Sequence, residues 1–405
     1  MFGGLDMRKI NWLLGSVLAL TAAALIGCGT KDGGEKPSAS RAAVQTEQGG
    51  STGGAVSEEV RNATVLKDAF QNDFTVGASV VMGTINSEEQ MDFICKYYNR
   101  ITMGNEMKPE SLLDGPATEK SKDKMPEIRT ENLDKILRTA QERNLKLRGH
   151  CLVWHSQTPN WFFGKDYEPS KGLADKETMR KRMEAYIKKV LTYCQENYPG
   201  VIYAWDVVNE GMGDDGGYRT ESSWYEIYGD ESYITDAFTF ARKYADKDVK
   251  LFYNDYNEYV PEKREMIAGL LNQLREKGLV DGMGMQSHWD MSFPSADMLE
   301  EALLEYGKIE GLEIQMTEID MHNTDNSEEG LRVQAERYRE FFEIITRAKR
   351  TGIANITNVT FWGMTDEDSW LTSFKGETSY PLLFDEDFRE KPCYQSVLGT
   401  AKKAY

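Results

Sequence analysis

The fold of this chain of 405 residues is indicated most clearly by two segments: Trp205-Asp206-Val207-Val208-Asn209-Glu210 and Gln315-Met316-Thr317-Glu318-Ile319-Asp320. In each segment, apolar or β-branched residues that favour strands lead up to a glutamate. The pattern predicts that each carboxylate lies where a strand gives way to a loop. Similar runs elsewhere in the chain indicate how these two strands are arranged.

Eight short runs of this kind recur along the chain, and longer helical stretches separate them. Because strands that alternate with helices form parallel sheets, the order predicts the α/β class and a single (β/α)8 TIM barrel. The predicted helices include 60–70, 133–140, 183–194 and 333–348. The predicted strands are 74–80, 100–103, 146–153, 201–208, 250–253, 282–286, 312–317 and 359–362.

The N-terminal residues resemble an export signal rather than part of the barrel. Arg8 and Lys9 precede an apolar run over 12–26 that is shorter than the roughly 20 residues of a membrane-spanning helix. The run ends in Leu25-Ile26-Gly27-Cys28, which resembles the lipobox of bacterial lipoproteins, where the cysteine is lipidated. A plain signal peptide or an uncleaved anchor is the alternative.

These features divide the chain into three parts. Residues 1–27 are a predicted lipoprotein signal peptide, and 28–57 are the lipidated Cys28 with a flexible linker of Gly, Ser, Thr, Glu and Gln. The barrel is expected over 58–405. We therefore expect an exported, cell-surface protein that contacts a bacterial membrane only through its lipid anchor.

Charge and cysteine content exclude several classes of function. The net charge of −18 argues against nucleic acid and against acidic polymers as ligands, whereas a neutral ligand needs no charge steering. No CxxC pair occurs, so a zinc knuckle is disfavoured. We expect Cys95, Cys151, Cys194 and Cys393 to be buried free thiols.

Polar and aromatic residues stand at the ends of seven of the predicted strands. Because the carboxyl ends of barrel strands form one rim, these side chains are expected to lie together. They are Asn105, Glu106, Lys108, His150, Trp154, His155, Asn209, Glu210, Asn254, Asp255, Tyr256, Gln286, His288, Trp289, Glu318, Asp320 and Trp362, with Trp370 further along.

Cleavage of a glycosidic bond requires at least two carboxyl groups that face one cleft. In this interpretation Glu318 is the nucleophile and Glu210 is the acid and then the base, and the reaction needs no cofactor. His288 and Asp320 would orient Glu318, and Asn209 would donate to a sugar 2-hydroxyl. The remaining sugar contacts would come from Asn105, Lys108, His150, Gln286, Trp154 and Trp362.

A metal-dependent hydrolase is the first alternative, because His150, His155 and His288 accompany the two glutamates. The chain lacks the HxH and HExxH spacings that bring two histidines onto one metal ion. His150 and His155 lie five residues apart, so they would point to opposite faces of a strand. We therefore expect no metal.

The rim residues resemble those of family 10 glycoside hydrolases, the endo-β-1,4-xylanases, from about residue 60 to the C-terminus. The resemblance implies retaining cleavage of the xylan backbone by Glu210 and Glu318, with His288 and Asp320 supporting the nucleophile. It also implies sugar-binding roles for Asn105, Lys108, His150, Trp154, Asn209, Gln286, Trp362 and Trp370 on the glycone side and Tyr256 on the aglycone side. The matching segments are 104–110, 148–155, 205–210, 286–288, 317–320 and 361–363.

One departure and two competing functions accompany this resemblance. Many family members have a glutamate at the position of Gly104, so glycone binding is expected to lose one acceptor. The expected partners are xylan and xylo-oligosaccharides, with the protein a monomer. A glycosidase for β-glucan or cello-oligosaccharides is one alternative, and a lipid-anchored sugar-binding protein is another. Retention of both glutamates argues against the binding protein.

Overall fold

Eight parallel strands close into a barrel in the computed structural model of the protein, which describes residues 56–405. Each strand pairs with the next, and β8 pairs with both β7 and β1. This confirms the predicted TIM barrel. The strands are β1 (Thr75–Val80), β2 (Arg100–Met103), β3 (Lys146–Trp154), β4 (Ile202–Asn209), β5 (Lys250–Asp255), β6 (Gly282–Met285), β7 (Glu313–His322) and β8 (Ile356–Phe361).

The predicted signal peptide over 1–27 and Cys28 lie outside the described residues. The same holds for the predicted linker over 28–57, apart from its last two residues. The division of the chain into these parts therefore stays a prediction.

One long helix follows each barrel strand and packs outside it. The eight are α1 (Glu88–Tyr97), α2 (Glu131–Glu142), α3 (Lys176–Asn197), α4 (Ser232–Tyr244), α5 (Pro261–Glu276), α6 (Ala296–Gly307), α7 (Glu328–Arg350) and α8 (Pro392–Ala401). The helices predicted over 133–140, 183–194 and 333–348 are confirmed as parts of α2, α3 and α7. Within residues 56–405, no helix combines the length and the apolar character needed to cross a membrane.

Short elements fill the connections. They are helices Glu58–Asn62, Leu66–Ala69, Met82–Ile85, Pro109–Leu112, Gly115–Lys120, Asn160–Phe163, Ser223–Tyr228 and Leu371–Lys375, with 3-10 turns at Lys165–Tyr167, Pro169–Lys171 and Asp366–Asp368. Leu113–Asp114 pairs antiparallel with Glu127–Ile128. A ninth parallel strand, His288–Asp290, pairs with the end of β7 and lengthens the barrel wall there.

Helical spacing and capping explain where the outer helices form. In α2 the buried residues recur at intervals of three and four, so one stripe faces the barrel: Leu133, Ile136, Leu137 and Ala140. The side chain of Asp175 accepts a hydrogen bond from the Thr178 amide and begins α3. Ser327 accepts from the Gly330 amide and begins α7 in the same way.

The single first helix predicted over 60–70 is wrong. The structure has two short helices, Glu58–Asn62 and Leu66–Ala69. Ala63 and Val65 are extended at the junction, and the Ala63 amide returns to the Val60 carbonyl to end the first helix. The β-branched pair Thr64-Val65 favours this extended backbone over a continuous helix.

A charged network fills part of the barrel interior. Arg148 of β3 donates from Nε to Asp206 Oδ2 over 3.1 Å and from Nη1 to Gln315 Oε1 over 2.6 Å. His150 Nδ1 lies 3.0 Å from Asp206 Oδ2. All four side chains are buried, and each charge has a partner, which is the condition for retaining ions inside a protein.

The four cysteines of the described chain are free thiols, as expected. Cys151, Cys194 and Cys393 are buried, whereas Cys95 is half-buried. Burial raises the pKa of Cys194 and of Cys393 to about 12. Their thiols are therefore protonated at neutral pH and are poor nucleophiles.

Two Gly→Ala substitutions should have opposite effects on stability. A Cβ at Gly149 of β3 would lie 2.3 Å from the buried ring of Trp205, so Gly149→Ala should destabilise the protein by about 1–3 kcal/mol through overpacking. Gly269 of α5 has open space around a Cβ, so Gly269→Ala should stabilise it by about 0.5–1 kcal/mol. The melting temperatures of both variants measure this, and a lower value for Gly269→Ala would contradict it.

Candidate active site

Glu210 and Glu318 both lie at the carboxyl end of the barrel. Glu210 directly follows β4, as predicted. The prediction that Glu318 ends its strand is wrong, because β7 continues to His322. The reason is the added strand His288–Asp290, which pairs with residues 320–322 and keeps them extended. A register shift between Met316 and Ile319 against β8 locally redirects β7 around Glu318.

His150 also lies inside its strand rather than at its end. β3 continues to Trp154, and its pairing with β4 shifts between His150 and Val153. The imidazole of His150 is buried against the Trp362 ring, with centroids 5.5 Å apart. His150 thus lies at the floor of the site, in contact with both Asp206 and Trp362.

Glu318 is a buried carboxylate, only 5% exposed. Its Oε1 accepts a hydrogen bond from Asn254 Nδ2 over 2.8 Å, and its Oε2 lies 3.4 Å from His288 Nε2. Burial acts to raise the pKa of Glu318. Attraction to the imidazoles of His150 and His288 outweighs burial and lowers the pKa to about 2. Glu318 is therefore ionised at neutral pH.

His288 links Glu318 to a second buried carboxylate, Asp320. His288 Nδ1 lies 2.8 Å from Asp320 Oδ1, and Trp370 Nε1 donates to Asp320 Oδ2 over 2.9 Å. Burial acts to lower the pKa of His288, but the charges of Asp320 and Glu318 raise it to about 10. The imidazolium is therefore held between two carboxylates, and the chain Trp370–Asp320–His288–Glu318 fixes the orientation of Glu318.

Glu210 is more accessible, with 14% of its side chain exposed. Trp154 Nε1 donates to Oε2 over 2.9 Å, and Gln286 Nε2 donates to Oε1 over 3.0 Å. Its φ of 56° is in the left-handed region, which a non-glycine residue rarely occupies. The backbone is held there by the Asn254 carbonyl, 2.8 Å from the Glu210 amide, and by Arg219 Nε, which donates to the Glu210 carbonyl.

Side-chain amides join the two glutamates. Asn254 Nδ2 donates both to Glu318 Oε1 and, over 2.9 Å, to Asn209 Oδ1. Gln286 Nε2 donates both to Glu210 Oε1 and, over 3.2 Å, to Asn209 Oδ1. The amide of Asn209 therefore lies between the carboxylates and shares a donor with each. This contact set brings Asn209, Glu210, Gln286 and Glu318 together, as the sequence predicts.

Three further predicted residues extend this cluster on one side. Lys108 Nζ contacts Asn105 Oδ1 and Gln157 Oε1, at 3.2 and 2.9 Å, and lies 4.9 Å from the centre of the Trp154 ring. Burial lowers the pKa of Lys108. Lys108, Asn105 and Trp154 thus form one polar and aromatic wall beside Glu210.

Tyr256 lies on the other side of Glu210. Its hydroxyl accepts a hydrogen bond from Arg219 Nη2 over 3.0 Å, and Lys263 Nζ lies 3.6 Å from the centre of its ring. Lys263 is buried and lies 2.8 Å from Asp255 Oδ1. Because Arg219 also holds the Glu210 backbone, the Tyr256 ring and Glu210 are fixed relative to each other.

The structure adds contacts that the sequence did not predict. Asn254 stands at a predicted strand end, but only the structure shows that it contacts Glu318. Trp370 was expected to bind sugar, and it also holds Asp320. Arg219 gave no sequence signal, because it lies in the long loop that follows Glu210. Among residues 56–405, no three His, Cys, Asp or Glu side chains form a group that could hold a metal ion.

Glu106 does not replace the carboxylate missing at Gly104. Its Oε1 accepts from the Met82 amide over 2.9 Å and its Oε2 from the Asn105 amide over 3.3 Å. Both oxygens therefore fasten the loops after β1 and β2. Glu106, two residues further on, therefore does not supply the acceptor that a glutamate at position 104 would provide.

Replacing His288 with glutamine should cost stability in a pH-dependent manner. The pKa of His288, about 10, lies above its ordinary 6.5, so its contribution is complete below pH 6.5 and is lost as the pH rises towards 10. The pKa of Glu318, about 2, lies below its ordinary 4.5, so its contribution is complete above pH 4.5 and is lost as the pH falls towards 2. The stability difference between the wild type and His288→Gln should therefore be largest between these limits.

Urea unfolding at about pH 5.5 and about pH 9 measures this difference. The apolar variant Leu271→Ala, in the core of α5, is the control, because its effect on the free energy of unfolding should be the same at both pH values. A His288→Gln effect that stays constant or grows from pH 5.5 to 9 would contradict the arrangement.

Comparisons with known proteins agree with this geometry. The pattern of glycosyl hydrolase family 10 matches residues 65–400. Endo-1,4-beta-xylanase B of Butyrivibrio fibrisolvens is 45% identical over 83% of this chain, which spans 53% of that protein. A putative endo-1,4-beta-xylanase of Caldicellulosiruptor saccharolyticus is 43% identical over 72% of this chain and 96% of its own length.

Solved structures give the same result. The CBM22-1 and GH10 modules of a Clostridium thermocellum endo-1,4-beta-D-xylanase, complexed with xylohexaose, superpose with a TM-score of 0.77 at 37% identity, covering 83% of this chain and 67% of that one. A GH10 endoxylanase from a sugarcane soil metagenome gives 0.74 at 32% identity, covering 84% of this chain and all of its own. The chain belongs to glycosyl hydrolase family 10, the family of retaining endo-1,4-β-xylanases that its rim residues resemble.

Proposed function

We propose that this protein hydrolyses internal β-1,4-xylosidic bonds of xylan by double displacement, with Glu318 as nucleophile and Glu210 as acid/base. One observation carries the proposal: a buried, ionised Glu318 accepts from Asn254, a more accessible Glu210 accepts from Gln286, and both donors also contact Asn209 Oδ1 at one rim. Two carboxylates in unlike environments are what two different roles require. Family membership supports the retaining stereochemistry.

In the first step, Glu318 attacks the anomeric carbon while Glu210 donates its proton to the departing glycosidic oxygen. The bond to the leaving sugar breaks, and an ester bond to Glu318 forms. Because His288 and Asn254 hold the carboxylate of Glu318 from either oxygen, the attacking group needs little reorganisation.

In the second step, Glu210 removes a proton from water, and the hydroxide attacks the same carbon. The ester bond breaks, Glu318 leaves as a carboxylate, and Glu210 is protonated again. The imidazolium of His288 stabilises the departing negative charge. The product keeps the β configuration, because two inversions have occurred.

The walls of the site supply substrate binding in this proposal. Asn209 donates to the sugar 2-hydroxyl, where a hydrogen bond that strengthens in the transition state contributes most. The glycone side is formed by Asn105, Lys108, His150, Trp154, Gln286, Trp362 and Trp370. Tyr256 stacks against the first aglycone sugar, supported from behind by Lys263. The substrates are xylan and xylo-oligosaccharides, and the protein acts as a monomer.

Removing each glutamate should give a distinct product with azide. We expect Glu318→Ala to abolish release of xylo-oligosaccharides from xylan. Glu210→Ala should lose about 10²–10⁴-fold in rate on xylan, the usual contribution of general acid–base catalysis. With a dinitrophenyl xylobioside, which leaves without protonation, azide should yield the α-azide with Glu318→Ala and the β-azide with Glu210→Ala.

The measurement is product analysis by NMR, with cellulose incubated in parallel. Exchanged azide configurations would reverse the two roles. Products from cellulose alone would assign the enzyme to glucan, and xylan binding without hydrolysis by the wild type would indicate a binding protein.

We further propose that the mature chain begins at Cys28 and is held by lipid at a bacterial cell surface. The sequence support is the basic and apolar N-terminal segment that ends at Cys28, and the polar stretch that follows it. Surface attachment keeps released oligosaccharides close to the cell that takes them up.

Cys28→Ala should abolish incorporation of a labelled fatty acid in the native host and release the enzyme from the membrane fraction. Cys95→Ala is the control, because it removes a half-buried thiol of the barrel domain and leaves Cys28 in place. Equal membrane retention of the wild type and Cys28→Ala would contradict the anchor.

A further inference from the structure

A single turn presents one side chain to each glutamate. Gln286, the first residue after β6, donates to Glu210, whereas His288 contacts Glu318. Ser287 lies between them, fully buried, with a φ of 63°. Because this backbone is left-handed, which a residue with a Cβ rarely adopts, it persists only where its surroundings hold it.

The buried carboxyl group of Glu258 contacts this turn. Its Oε1 accepts a hydrogen bond from the Ser287 amide over 3.2 Å, whereas the Ser287 hydroxyl lies 3.5 Å from Oε1 and closer, at 3.1 Å, to its other acceptor, the Met285 carbonyl. Glu258 is fully buried, and its Oε2 has no hydrogen-bond partner among residues 56–405. A buried carboxyl with so few partners is costly, which points to a role beyond packing.

Two tyrosines fix Glu258 and the turn to the same scaffold. Tyr306 of α6 donates from its hydroxyl to the Glu258 carbonyl over 2.8 Å. Tyr259 donates to the His288 carbonyl over 3.0 Å. The loop after β5 is therefore connected to the turn at Ser287 and again at His288.

Glu258 is a neutral acid at neutral pH. Burial raises its pKa to about 8, against smaller opposing effects of a backbone hydrogen bond and of His288 and Lys263. A carboxylic acid retains a carbonyl oxygen as an acceptor, and glutamine has nearly the same shape with the same acceptor. Methionine has a similar length without a strong acceptor.

We propose that Glu258 is a positioning residue of the reaction, which acts through the Ser287 turn to place Gln286 against Glu210 and His288 against Glu318. The inference rests on the proposed roles of those two glutamates. Loss of the acceptor at Glu258 releases the Ser287 amide, and both neighbouring side chains move together. Both displacement steps then slow, because the acid/base and the nucleophile lose their partners in one event.

The test compares Glu258→Gln with Glu258→Met in the full-length protein, using dinitrophenyl xylobioside and xylohexaose. We expect Glu258→Met to lower kcat by about 10–100-fold, the scale of an ångström-sized misplacement, with KM changed far less. Glu258→Gln should keep kcat within about threefold of the wild type, because the acceptor remains. The melting temperature of Glu258→Met should fall, because the buried Ser287 amide loses its acceptor, but by no more than that of the core variant Leu271→Ala, because the partnerless Oε2 is removed as well.

Leu271→Ala is the matched control, because it truncates the core of α5 and should lower the melting temperature without changing kcat. If Glu258→Met does not fold, Glu258→Asp, which withdraws the carboxyl by one methylene, should show the same fall in kcat. Unchanged kcat in the folded variant without the acceptor would overturn the proposal, as would equal losses for glutamine and methionine. An inactive wild type would instead refute the proposed function.

Discussion

The structure depends on keeping one negative charge, that of Glu318, in a nearly dry position. Removing a carboxylate from water costs several kcal/mol unless opposite charge and hydrogen bonds replace the lost solvation. Here a protonated imidazole contacts one oxygen and a side-chain amide contacts the other. Asp320 and the indole of Trp370 then hold the imidazole. The charge of Glu318 therefore stays paired only while β5, β7 and the strand His288–Asp290 keep their positions.

The barrel meets that requirement because its parallel strands end at one rim. β4, β5 and β7 bring Asn209, Asn254 and Glu318 into contact although they are far apart in sequence. The amides between the glutamates are neutral, so they connect the two carboxylates without adding charge to either. Glu210 and Glu318 therefore belong to one hydrogen-bonded unit while keeping different exposure to water.

Much of this arrangement is written in local sequence patterns. All eight strands, three of the outer helices and most members of the rim follow from hydrophobic periodicity and from polar residues at strand ends. Trp289 is an exception, because it is buried against Phe341 of α7. Glu318 was misplaced relative to its strand because the pairing of His288–Asp290 with β7 is a contact between distant segments, which no local pattern encodes. The break between the first two helices depends on backbone preferences too weak to decide from sequence. The contacts of Arg219 and Glu258 depend on loop geometry, which periodicity does not describe.

The hydrogen bond from Trp370 to Asp320 makes one side chain part of both the wall of the cleft and its charge network. The same ring that we propose to line the sugar site donates a hydrogen bond to the charge network, and Trp370 directly precedes the short helix Leu371–Lys375. A chain diverging towards a different polymer is free to change the exposed face of that helix, where Phe374 is 67% exposed, but not its buried first residue, Leu371. It is not free to change the indole itself, since a phenyl ring would fill the space and leave the carboxylate unsatisfied. The boundary between evolvable and constrained sequence therefore falls inside this short helix, between its buried first residue and its exposed face.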